Sequence, residues 1–151
     1  MFTVLFRILS AILIVSWIPL LLLPKSVITR KLFFHKYYWI LLGGLYFTTL
    51  FFFGWEINWF SLIVPSISGI REVFTHENLP LFAWLHMLMA NLFFGRWIAS
   101  DGFKKGYLLF PFLLISVVLG PVGLSLYMVY DLKKQGERER RRARKMVSQS
   151  F

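Results

Sequence analysis

The chain has 151 residues, of which 58% are hydrophobic and only 16% charged, and its mean hydropathy is +0.65. A soluble domain averages roughly 45–50% apolar and about a quarter charged, and a small one must still cover its core with polar surface, so an ordinary soluble enzyme and a disordered chain are both excluded. Cys is absent, which removes disulfide scaffolds and thiolate metal sites, yet 17 Lys and Arg against 7 Asp and Glu leave a net charge of +10.

Four long intervals carry no Asp, Glu, Lys or Arg: residues 8–24, 37–55, 78–95 and 106–130, of 17, 19, 18 and 25 residues. A helix crosses the hydrocarbon in about 20 residues, range roughly 17–25. None of the four shows the one-sided stripe of a soluble surface helix, and β-barrel strands would need alternation that continuous apolar runs lack. The expected fold is an all-α integral membrane protein with four transmembrane helices, over about 8–24, 37–55, 78–99 and 106–130. Residues 1–132 then form the membrane domain and 133–151 a basic juxtamembrane tail. The first interval follows Arg7 like a signal peptide, but Leu21-Leu22-Leu23-Pro24-Lys25 offers no small-x-small cleavage site. An uncleaved anchor is therefore expected.

Between the second and third spans, residues 57–70 are also uncharged but only 14 long, with Pro65 and Gly69. That length suits a short re-entrant or interfacial segment. Four spans place the N-terminus, residues 56–77 and the tail on one side, with 10 cations there and 7 on the other. Positive-inside then favours a cytoplasmic tail, by a narrow margin. Trp39, Trp55, Trp59, Trp97, Tyr37, Tyr38, Tyr107 and Tyr130 lie near the expected span ends, as an interfacial aromatic belt requires.

The third span carries the chemistry. An ionisable residue within a span is costly and marks a functional site by default, which singles out His86. The alternative for a lone His or Asn is an interhelical hydrogen bond that locks packing, with Thr48, Thr49, Ser116 or Ser125 as partners. His86 and Asn91 are five residues apart and diverge by roughly 140° on a helix. His86 and Asp101 share a face within about 60° but are separated by about 22 Å along the axis, so they cannot act as one acid–base pair. Arg96 is expected to snorkel to the interface and meet Asp101 or a headgroup. A single His in the span without carboxylates at ligand spacing does not make a metal site, and no fingerprint for a cofactor is present. In the fourth span Gly120-Pro121-Val122-Gly123 predicts a kink with close packing, which either builds a pocket or simply seats a neighbour.

The tail reads Asp131-Leu132-Lys133-Lys134-Gln135-Gly136-Glu137 and then mostly Arg. It has no aromatic interleaving, so Arg140, Arg141, Arg142, Arg144 and Lys145 point to anionic lipid headgroups and not to nucleic acid. Gly136 is expected to weaken its junction with the span.

Trp84-x-His86, Leu92-Phe93, Gly95-Arg96-Trp97, Asp101-Gly102 and Leu119-Gly120-Pro121-Val122-Gly123 resemble the abscisic acid deficient four-like (neoxanthin synthase-like) family of small membrane proteins. Pro24-Lys25 and Ser68-Gly69-Ile70 fit the same layout. The resemblance covers about residues 8–130. It implies a carotenoid or similar polyene lipid as substrate and an isomerisation that opens a 5,6-epoxide to an allenic alcohol without net redox change. On that footing His86 and Asp101 are the candidate proton-transfer residues, and Asn91, Arg96, Trp84 and Trp97 the candidate substrate contacts. The family commonly has Asp five residues after the His, where this chain has Asn91, so the enzyme activity itself stays open. The alternative is a non-catalytic scaffold that binds anionic lipid through its tail. Membrane lipids are the expected partners, an oligomer is compatible with the small size, and the missing Ser-rich transit peptide suggests a bacterial plasma membrane.

Overall fold

The computed structural model describes residues 2–24, 26–33, 35–54, 66–75 and 78–149. These form helices α1 (Phe2–Leu22), α2 (Val27–Phe33), α3 (Lys36–Phe53), α4 (Ile67–Phe74), α5 (Leu79–Lys105), α6 (Phe110–Val118) and α7 (Gly120–Gln149), with no strand among the described residues. Most of the uncharged segment 57–70, expected to be re-entrant, lies outside them. Its last residues start α4.

Two helices are long and apolar enough to cross a membrane, Thr3–Leu22 and Leu79–Lys105. The expected second span is α3, but it has 18 residues and opens on Lys36, Tyr37, Tyr38 and Trp39, so its strongly apolar part is short. Their outer faces are apolar: Ile14, Ile18, Phe47, Phe51, Trp84 and Phe93 are all exposed. Patches of that kind on a water-soluble monomer would be a liability.

Helix ends follow from local chemistry. Thr29 donates from Oγ1 to the carbonyls of Leu23 (2.6 Å) and Pro19 (3.1 Å), satisfying acceptors that the end of α1 leaves open. Pro80 sits in the first turn of α5, where its missing N–H costs nothing. α5 stops at Gly106, whose φ of 71° is left-handed. There Tyr107 N–H donates to Gly102 O at 3.1 Å, the pattern of a Schellman stop.

The core lies between α1 and α5. Leu9, Leu13, Trp17 and Leu20 meet Leu85, Leu88, Leu92, Ile98 and Ala99. Gly95 permits the approach, because a Cβ there would lie 2.5 Å from Trp17 Cη2.

The largest departure concerns the fourth interval. It does not form one crossing helix. Leu119, with φ −124° and ψ 65°, breaks it, and α6 and α7 fold back on each other as an antiparallel hairpin. Phe112 and Tyr130 have ring centroids 5.2 Å apart, where a straight helix would separate them by about 27 Å. Phe112 also meets Tyr127 at 5.7 Å, and Tyr107 meets Tyr130 at 5.2 Å. Gly120-Pro121 therefore turns the chain instead of kinking it. The tail continues the same helix: α7 runs unbroken through Gly136 to Gln149.

Candidate functional site

The broken backbone at the hairpin tip creates a requirement. Pro121 has no N–H to return to Val117, and Leu119 is not helical, so several polar groups lose their ladder partners. One side chain of α5 supplies them. Asn91 donates from Nδ2 to the carbonyls of Val117 (3.1 Å) and Val118 (3.2 Å), and its Oδ1 accepts from Gly120 N–H (3.1 Å). Asn91 is 2% exposed, so the clip sits in a dry seam. Gly120 packs directly on it, and a Cβ at Gly120 would clash with Asn91 Oδ1 and lie 2.7 Å from Phe94. Gly123 is as tightly held: a Cβ there would clash with Ser116 Oγ and lie 2.8 Å from the Phe112 carbonyl.

The base of the hairpin is also tied to α5. Lys105 Nζ donates to Asp101 Oδ2 (2.6 Å) and Asp131 Oδ2 (2.7 Å). Tyr127 donates to Asp101 Oδ2 (2.6 Å) and Tyr107 to Asp131 Oδ1 (3.1 Å). Gln135 donates to Asp131 Oδ2 at 2.8 Å, and Arg138 reaches the Lys105 carbonyl at 3.3 Å. Asn91 and Asp101, ten residues apart on α5, thus hold the two ends of one hairpin. Their separation of about 15 Å matches the rise of a nine-residue helix such as α6, about 13.5 Å. Asp101 therefore meets Lys105 and Tyr127, while the Arg96 guanidinium lies 5.3 Å from the Trp39 ring and 5.9 Å from Phe93. Trp97 packs edge-on to Tyr127 at 6.0 Å.

His86 stands apart from both ties. It is exposed on the other side of α5 from Asn91 and faces Tyr46 of α3, with ring centroids 6.0 Å apart. Together they line an open cavity of about 210 Å³, with Leu50, Phe74, Leu79 and Phe82 as apolar walls. The hydroxyls expected beside His86 are turned elsewhere. Thr48, Thr49 and Ser125 each bond a carbonyl four residues back in their own helix, and buried Ser116 packs at Gly123. Tyr46 is the neighbour that sequence reasoning missed, although its position, one helical turn or less from Thr48 and Thr49, was in view. Trp84 is exposed two residues before His86, on a different face of the helix.

In the tail, Lys134 and Glu137 pair at 3.0 Å. Their hydrogen bond holds the Glu137 carboxyl below its ordinary range and raises the Lys134 ammonium. Arg140, Arg141, Arg142, Arg144 and Lys145 are exposed along the same helix. Among the described residues no group of three or more His, Cys, Asp or Glu could hold a metal ion.

A helical chain with an apolar exterior, two helices of membrane-crossing length and a helical hairpin clipped by a buried amide defines a small protein of the membrane. The chain belongs to the ABA DEFICIENT 4-like family, whose model matches residues 4–127. It is 29% identical over 116 residues to Protein ABA DEFICIENT 4, chloroplastic, from Arabidopsis thaliana, an alignment covering 70% of this chain and 50% of that protein. The chain thus spans about half the length of the curated relative it matches. The relative is chloroplastic, which leaves the expected bacterial plasma membrane without support. No solved structure matches.

Proposed function

We propose that the protein takes a carotenoid-like polyene lipid from the membrane and isomerises its epoxide end group at His86. The observation that carries this reading is the laterally open, apolar cavity in which His86 and Tyr46 are the polar groups. Family membership supports the substrate class. In the reaction the epoxide C–O bond breaks, the oxygen takes up a proton, and the neighbouring chain carbon gives one up as the allene forms. No electrons are exchanged with a partner. A neutral imidazole can accept a proton and a phenol can donate one, so the His86–Tyr46 pair meets both needs at one end of a substrate. Asp101, about 22 Å away along α5, serves the hairpin base or the far end of a long polyene. Trp84, Arg96 and Trp97 are candidate contacts along the chain, and Asn91 acts through the hairpin it holds. The test is expression in a host that makes epoxy-carotenoids, comparing bound and total pigment for the unaltered protein and for His86→Ala.

A second reading rests on the tail. α7 carries its cations on one helix continuous with the hairpin, which suits docking on anionic headgroups. It expects that removal of residues 133–146 abolishes function while His86→Ala leaves it intact.

A further inference from the structure

We infer that the chain crosses the membrane three times, so that its termini lie on opposite sides, and that the tail side forms one cationic surface against an anionic lipid leaflet. The helix directions carry the first part. Trp17 and Leu20 pack at Gly95, and Leu21, Leu22 and Pro24 share a cleft with residues 106–110, so α1 and α5 run parallel. α3 runs against both: Trp39 meets Phe93 at 5.5 Å, and Tyr46 meets His86 at 6.0 Å. Leu50 near the end of α3 lines the same cavity as Phe74 and Leu79, so the chain returns to α5 from the side on which α3 left it. After Gly106 the α6–α7 hairpin enters from the side that α5 has reached. It turns at the depth of Asn91 and comes back beside Lys105 through Asp131. Irregular backbone at that depth is tolerable because Asn91 satisfies its open carbonyls and N–H.

Charge carries the second part. This path puts Arg30, Lys31, Lys36, Arg96, Lys104, Lys105 and the eight tail cations at one end of the bundle, fourteen of the chain's 17. Arg7 and Arg71 lie at the other. A crossing fourth helix would leave the distribution at 10 against 7. The hairpin therefore turns a weak orientation signal into a strong one under the positive-inside rule. It also gathers the cations where anionic headgroups would attract them.

The chain has no Cys, so single cysteines report sidedness directly. Thr3→Cys, Ile67→Cys, Leu108→Cys and Met146→Cys lie at positions exposed in the fold. They would be labelled with a membrane-impermeant maleimide in inverted and right-side-out vesicles of the expression host. Leu108→Cys and Met146→Cys should react from the cytoplasmic side, and Thr3→Cys and Ile67→Cys from the other. Reaction of the 108 and 146 positions from opposite sides would show a crossing fourth helix and overturn the hairpin topology. Equal labelling of each position from both sides would overturn the orientation. For the lipid surface, the full chain is placed in nanodiscs of phosphatidylcholine alone or with phosphatidylglycerol and treated with trypsin. Cleavage after the tail cations should slow several-fold in the anionic discs, and high salt should remove the difference. Equal cleavage in both discs would overturn the anionic leaflet as partner.

Discussion

The rings of Phe112 and Tyr130 lie 5.2 Å apart although 18 residues separate them. This contact exists because α7 folds back along α6, and it changes what the polar residues of α5 are for. Asn91 and Asp101 fall at the tip and base of the returned segment.

Asn91→Ala should destabilise the protein, because it strands a buried N–H and two partly buried carbonyls. Each such group costs about 1–3 kcal/mol when left unsatisfied. Thermal unfolding in detergent should show a clear drop, whereas Trp84→Ala, at an exposed position, should not. An Asn91→Ala protein as stable as the original would mean that the tip finds other partners.

Two glycines should respond in opposite ways. A Cβ at Gly123 would strike Ser116 and the Phe112 carbonyl, but at Gly136 it meets nothing within 4 Å. Gly123→Ala should therefore cost about 1–3 kcal/mol through overpacking. Gly136→Ala should stabilise the tail helix by roughly 0.5–1 kcal/mol. Circular dichroism during thermal melts reads both.

Lys105 bridges Asp101 and Asp131. Lys105→Met should leave two carboxylates facing each other and loosen the base of the hairpin. Its side chain is 27% exposed, so the loss should be modest, about 1–2 kcal/mol. Restoring stability with Asp131→Asn in the same chain would show that repulsion is the cause, and no recovery would point to packing.

His86→Ala should leave the melting transition within about 0.5 kcal/mol of the original, since exposed side chains contribute little to stability. Tyr46→Phe keeps the ring against His86 and removes only the hydroxyl. It should retain bound polyene but lower conversion if the phenol donates the proton. Equal conversion by Tyr46→Phe would remove Tyr46 from that role.

Much of the helical content was legible in the charge-free intervals, because lipid-facing helices cannot hide charges. The reversal at Leu119 was not, since 25 uncharged residues fit one tilted span as readily as two short helices. The Gly-Pro-Val-Gly run marked the place without giving the angle. That angle depends on tertiary partners, Asn91 above all, which sequence spacing cannot pair with residue 120. His86 stood out as an ionisable group in an apolar run, but its partner did not. Thr48 and Thr49 were among the expected partners, but their hydroxyls bond within their own helix. The junction expected to weaken at Gly136 is nonetheless helical. Glu137 and its neighbours are good helix formers, and a single Gly costs only about 1 kcal/mol.

The most direct test of the proposed chemistry is pigment analysis in a host that supplies a 5,6-epoxy carotenoid, with protein levels matched between variants. The expected result is an allenic product and co-purifying polyene with the unaltered chain, and neither conversion nor a change in fold with His86→Ala. The same product profile from His86→Ala, or an unaltered protein that neither binds nor converts the polyene, would contradict it.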